Sequence, residues 1–294
     1  MSETKIKRKR GDRRDGVWLK NLDGMHMFMP YLMPNRTDSE VYLLEQVDVT
    51  ELLKYVEKKN GPDADFKTTA FHAFVMAIGK TIHFRPYLNR FISGRRMYER
   101  RDISMSFVVK RKFEDEAEEM LLVMHIRPDM TITDVSRRIV GDATKLKKEG
   151  SNDINDILGI LAKFPRFMNR IIMALFNFLD FHGKMPKFIC DGDPNYTTVL
   201  LSNLGSIKCN APYHHLNNYG TNSVMITIGE IHKAPVVNAE GELEVRDVVN
   251  LGCTVDERIA DGFYFAKSIR YIKHLLANPE ILDLPVGEEI DYEF

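Results

Sequence analysis

The chain has 294 residues, 44% of them hydrophobic and 28% charged, an ordinary globular composition with enough length for one large domain or two small ones. A formal net charge of -1 gives no indication of a nucleic-acid partner. The three cysteines, Cys190, Cys209 and Cys253, form no C-x-x-C pair, so neither a disulfide framework nor a zinc site is suggested, and a reducing cytoplasm fits. No apolar signal core follows the N-terminal basic residues, and no apolar run reaches the length of a membrane span.

Residues 1–16 read as a flexible basic arm and residues 285–294 as an acidic tail, both solvated. Residues 17–34 are rich in Met and aromatics, a composition that more often packs on a core than binds a cofactor. A strand is predicted over residues 40–47. A capping box from Asp48 to Glu51 then opens a helix ending near Gly61. The helix over residues 68–84 carries Phe71, Phe74, Val75, Ile78 and Ile82 at helical spacing. Ser93-Gly94 marks a hairpin between residues 88–92 and 97–101. Strands over 103–110 and 120–126 flank an acidic loop, 114–119. A helix runs from Thr131 to about Lys148, with Gly150 as its stop.

Residues 151–188 are an apolar segment interrupted by Lys163, Arg166 and Arg170, and Pro165 divides it into two helices. Three readings are open. The helices pack on the core or a neighbouring subunit, close as a lid over a hydrophobic acceptor channel, or rest on a membrane surface. After them come a strand over 197–207 running into a Gly turn, a loop over 211–220 and a strand over 223–230. A hairpin turns at residues 239–241. A strand over 247–255 leads to a polar corner, T-V-D-E-R-I-A-D-G-F at residues 254–263. The last helix, residues 263–277, has Asp261 as its N-cap and Phe265, Ala266, Ile269, Ile272, Leu275 and Leu276 on its buried face.

The corner resembles the H-x-x-x-D-G motif of the chloramphenicol acetyltransferases and the D-H-R-x-x-D-G motif of the dihydrolipoamide acyltransferase catalytic domains of 2-oxoacid dehydrogenase complexes. Asp256, Arg258, Asp261 and Gly262 fall in place; Glu257 stands where the family has its catalytic histidine. Residues 201–205 are similar to the family's S-x-L-G strand, and residues 40–56 to its first strand and helix. The resemblance spans about residues 17–284, which it makes one acyltransferase-like catalytic domain with a hydrophobic helical insertion at about 151–188. It implies an α/β fold, a two-layer sandwich with a mixed β-sheet and helices on one side, assembled as a homotrimer with active sites between subunits. No Ala/Pro-rich linker precedes the domain, so the chain looks like the stand-alone members, without lipoyl or subunit-binding domains.

The resemblance also assigns roles. A thiol or hydroxyl acceptor attacks an acyl-CoA thioester, so coenzyme A is a co-substrate and not a tightly bound cofactor; the acceptor is unknown, with a hydrophobic one open. Glu257 takes the base position, Ser202 donates to the developing oxyanion, and Asp261 holds the corner by pairing with Arg13 or Arg14. Asn203, Gly205 and Arg258 are substrate-binding candidates. So are His214 and His215, which could supply the missing imidazole from another position or simply bond backbone. An ordinary Glu has a pKa of about 4.3 and a thiol about 8.5, so Glu257 faces about 5–6 kcal/mol uphill. The alternative function is a catalytically inactive acyltransferase-fold protein that binds acyl-CoA or a partner. Peripheral membrane contact through the insertion also stays open.

Overall fold

Alternation in the strands and a 3.6-residue period in the helices set two layers, and most of the predicted elements appear. The computed structural model describes residues 8–110, 119–149, 159–238 and 240–294. Residues 1–7 of the basic arm, 114–118 of the acidic loop, Gly150, residues 151–158 of the insertion and Ala239 of the hairpin turn lie outside that description.

The chain order is β1 (Gly16–Trp18), α1 (Gly24–Leu32), β2 (Glu40–Asp48), α2 (Thr50–Lys59), α3 (Ala70–Phe84), β3 (Arg90–Ser93), β4 (Arg96–Arg100), β5 (Ile103–Lys110), β6 (Glu119–Ile126) and α4 (Ile132–Glu149). Then follow α5 (Arg166–Phe181), the single turn α6 (Lys187–Cys190), β7 (Val199–Asn203), β8 (Val224–Ile228), β9 (His232–Val237), β10 (Leu243–Asp256) and α7 (Gly262–Ala277). The main sheet has the order β2-β10-β8-β7-β5-β6, with β9 paired to β10. β5, β7 and β8 run parallel and the other pairs antiparallel, so the sheet is mixed. A small sheet, β1-β4-β3, stands apart.

The core lies between the main sheet and α2, α3, α4 and α7. α3 is apolar almost all round and buried through residues 72–82, which suits a helix surrounded by other elements. Even its Lys80 is buried, donating to the Pro285 and Glu288 carbonyls at 2.8 and 2.7 Å. Together with the tilted ring contacts of Tyr292 and Phe294 with Tyr271, this docks the acidic tail on the domain, contrary to a solvated tail. The described part of the basic arm is fixed too, because Arg13 is buried in ion pairs with Asp15 and Asp180.

Other expectations need correction. Asp48 accepts from the Thr50 amide at 2.9 Å, but it is still paired in β2, so α2 starts later and the Asp48–Glu51 box does not form. On α7, Ser268 and Tyr271 take inward places while Ala266 is exposed. Residues 17–34 do not pack on the core: most large apolar side chains of α1 are exposed. α5 begins after Pro165 as expected; none of its residues is fully buried, but its Phe176 and Leu179 pack against a small second core of Met185, Cys190 and Tyr196, so one side of the helix packs on this chain while the other is exposed.

Candidate active site

The corner forms where β10 leaves the sheet. Asp256 closes the strand, paired with Glu40 of β2, and the chain turns into α7. Asp256 is fully buried. Its carboxylate accepts from Ser39 Oγ at 3.0 Å, from the Arg258 amide at 3.1 Å, and from Arg258 Nε and Nη2 at 2.8 and 2.6 Å. This is a bidentate charge-assisted pair, the strong form of such a bond. Arg36, also buried, brings Nε within 3.8 Å of the same carboxylate and donates to the Asn217, Ile92 and Gly220 carbonyls. Burial pushes the Arg36 guanidinium below its ordinary range despite the attraction of Asp256. One carboxylate thus serves two buried guanidiniums.

The candidates take separate places on this frame. Glu257 is half-buried; its amide donates to the Ser39 carbonyl at 2.9 Å, and its carboxylate accepts no hydrogen bond from the described residues. Arg258 is 2% exposed, with its guanidinium committed to Asp256 and to the Met33 carbonyl at 2.8 Å. Asp261 is exposed and caps α7 by accepting from the Tyr264 amide at 2.7 Å. Neither arginine expected beside Asp261 is there. Asp180 of α5 helps to hold Arg13, and Arg14 pairs with Asp191.

Ser202 lies near the other end of the sheet. It pairs with Thr227 of β8, which pairs with Gly252 of β10. Glu257 follows five residues after Gly252, roughly 17 Å along the strand and two strand spacings, or roughly 10 Å, to the side. No side chain bridges that span. Strand alternation turns Ser202, Thr227 and Gly252 to the face away from the helices, and Asn203 to the helix face. The Ser202 hydroxyl has no hydrogen-bond partner among the described residues. Asn203 and Gly205 line a cleft of about 470 Å³ with Phe71, Phe74 and Lys208.

The loop bearing His214 and His215 crosses the outer face between these two ends. Thr227 Oγ1 donates to the Pro212 carbonyl at 2.5 Å, and only a glycine at 252 leaves room for that carbonyl. Tyr213 packs its ring at a tilt against Tyr42, the Leu216 amide donates to Glu40, and Asn218 Oδ1 accepts from the Arg36 amide at 2.8 Å. His214 and His215 are exposed, and each Nδ1 lies 2.9 and 3.1 Å from a backbone carbonyl. A carbonyl only accepts, so each Nδ1 is the donor in its contact.

A second cleft, of about 500 Å³, opens beside the Glu257 corner. Arg36 and Arg258 line its floor, Ile92 and the Gly94-Arg95 turn one wall, and Met173 and Phe181 of α5 its cover. Sequence reasoning missed Arg36 and Ser39 as the frame of the corner. They lie more than two hundred residues from Asp256, and no spacing pattern links them.

Residues 193–284 match the family profile described as 2-oxoacid dehydrogenases acyltransferase (catalytic domain). Over these residues the chain is related to the 2-oxoacid dehydrogenase acyltransferases. The acyltransferase match takes in Ser202 and the whole corner. The lipoamide acyltransferase component of the branched-chain alpha-keto acid dehydrogenase complex of Bacillus subtilis is 22% identical over 240 residues, 80% of this chain and 46% of that protein. The chain therefore spans about half the length of the curated relative it matches. A probable dihydrolipoamide acetyltransferase from Listeria monocytogenes has a similar structure, with a TM-score of 0.60 at 18% identity, covering 88% of this chain and 94% of that one. A chloramphenicol acetyltransferase aligns with a TM-score of 0.53 at 11% identity over 89% of this chain and 99% of its own. These likenesses show the acyltransferase fold over most of the chain.

Proposed function

We propose that the protein is a CoA-dependent acyltransferase whose active site forms between two copies of the chain, with residues 17–284 as the catalytic unit. One observation carries this reading. The acyltransferase corner and the Ser202 strand are both built, but they stand at opposite ends of one sheet. A neighbouring copy that presents its Ser202 to the Glu257 corner would complete the site, which fits the homotrimer.

In the proposed reaction the acceptor's thiol or hydroxyl gives its proton to the Glu257 carboxylate and attacks the thioester carbonyl. The new oxyanion accepts a hydrogen bond from Ser202 Oγ of the other copy, a donor not engaged elsewhere. Collapse expels the CoA thiolate, which recovers the proton from Glu257. Asn203 and Gly205 would border the CoA side on the helix face of the sheet, and His214 and His215 would approach Ser202 from the outer face. Arg258 would work from behind the corner, fixing the position of Glu257. The acceptor would enter the cleft under α5, whose Met173 and Phe181 suit an apolar group.

The absence of an imidazole at position 257 supports a second reading, a fold-conserving protein that binds acyl-CoA without turnover. Thermal unfolding with CoA, acetyl-CoA and longer acyl-CoAs tests the common part, since a ligand that binds only the folded state raises the melting temperature. No shift with any of them would remove both readings. Release of free CoA thiol from a bound acyl-CoA, given a thiol or hydroxyl acceptor, separates the first from the second.

A further inference from the structure

Two helices stand out from the domain with apolar sides uncovered. On α5, Phe167, Ile171 and Phe178 lie on one stripe and are 63%, 63% and 60% exposed. On α1, Phe28, Tyr31 and Leu32 are each more than half exposed. Both helices flank the same hairpin turn. Gly94 packs against the Phe181 carbonyl at the end of α5, and Arg95 donates to the Pro30 carbonyl of α1 at 2.8 Å and lies over the Tyr31 ring.

α5 is anchored although none of its residues is buried. Arg13 donates to Ser93 Oγ at 2.6 Å and to the Asp180 carbonyl and carboxylate at 2.7 and 3.0 Å. The apolar stripe is therefore held in a fixed direction, beside α1 and above the cleft at the corner.

The rim of this face is cationic. Lys163, Arg166 and Arg170 edge α5, and Arg95 and Arg96 lie at the turn. The nearby acids are already engaged: Asp15 and Asp180 with Arg13, Asp12 with Arg101, Asp191 with Arg14, and Asp23, at the start of α1, with His26 and the first amides of that helix. If the patch met itself across a two-fold axis, cations would face cations. A lipid surface with anionic headgroups matches the apolar stripe and the basic rim together.

We propose that the α1–α5 face docks on an anionic lipid surface. The apolar side chains enter the boundary between headgroups and acyl chains, and the arginines and lysines meet the phosphates. The cleft between α5 and Arg36 would then receive its occupant from the lipid side. This docking does not depend on acyl transfer and is tested without it.

The whole protein is sedimented with vesicles rich in phosphatidylglycerol and with vesicles of phosphatidylcholine alone. It should bind the first, weakly or not at all the second, and lose binding in salt. Ile171→Asp with Phe178→Asp should lower the bound fraction at least about tenfold. Arg166→Gln and Arg170→Gln should each weaken binding by about fivefold. Wild-type protein that ignores both vesicles overturns the proposal, as does a double variant that binds like wild type. Light scattering runs alongside. A fall in particle mass for the double variant would make this face a contact between copies and would also overturn it.

Discussion

At position 257 a carboxylate occupies the place of an imidazole, and its surroundings decide what a replacement does. The Glu257 carboxylate is half-buried and accepts no hydrogen bond from the described residues, so an imidazole can take its place without breaking a network. Glu257→Gln should reduce acyl transfer by about 10²–10⁴-fold, the usual contribution of a positioned base. Glu257→His should raise it, because a pKa of about 6.5 lies nearer the thiol. Single-turnover kinetics with an acyl-CoA at fixed acceptor would measure both, and equal rates for all three proteins would favour the inert reading. Asp256 behaves differently. Asp256→Asn would leave Arg36 and Arg258 buried with no charge partner, a loss of about 3–5 kcal/mol. Urea unfolding should show it as a large fall in midpoint.

Among the elements, the β3–β4 turn holds α5 in place. Gly94 and Arg95 both have positive φ, +57° and +61°, as a two-residue hairpin of the twisted type requires. A Cβ at Gly94 would collide with the Phe181 carbonyl. Gly94→Ala should therefore cost about 1–2 kcal/mol from its backbone alone, and also free α5, seen as faster amide exchange along residues 166–181. At the start of α3, the His72 Nδ1 accepts from the Thr69 amide at 3.4 Å, so the ring there is neutral. Burial pushes His72 from 6.5 down to about 4. Between those values only the unfolded chain binds the proton. Stability is whole above about pH 6.5 and falls as pH drops towards 4, by up to about 3 kcal/mol. Melting curves across that range would show the fall, and His72→Gln should flatten it.

At the scale of the whole molecule, the sheet register makes the strongest demand. With Ser202 and Glu257 at opposite ends, Ser202→Ala and Glu257→Gln should each silence a homogeneous oligomer. Refolded together in equal amounts, they should recover activity of about a quarter of wild type, the share of sites that draw both intact residues from different copies. No recovery in a mixed trimer would place the chemistry within one chain.

Much of this was legible in the sequence because it depends on neighbours along the chain. Alternation and helical spacing located β2, β5, β6, β8, α3 and α7. Asp261 before an apolar helix gave the N-cap, and Pro165 the start of α5. The corner, its substituted Glu257 and the Ser202 strand were readable as motifs, since each is a short run. The frame behind the corner was not: Arg36 and Ser39 reach Asp256 only when β2 pairs with β10. Nor was the fixing of the described part of the basic arm and of the acidic tail, because Arg13 and Lys80 look like solvated cations until the fold brings Asp180 and the Pro285 carbonyl to them. The exposure of α1 and α5 was equally hidden. Composition counts apolar side chains but cannot say whether the core has room for them. Here α5 gives Phe176 and Leu179 to a small second core and leaves Phe167, Ile171 and Phe178 exposed, a division that only the tertiary structure decides.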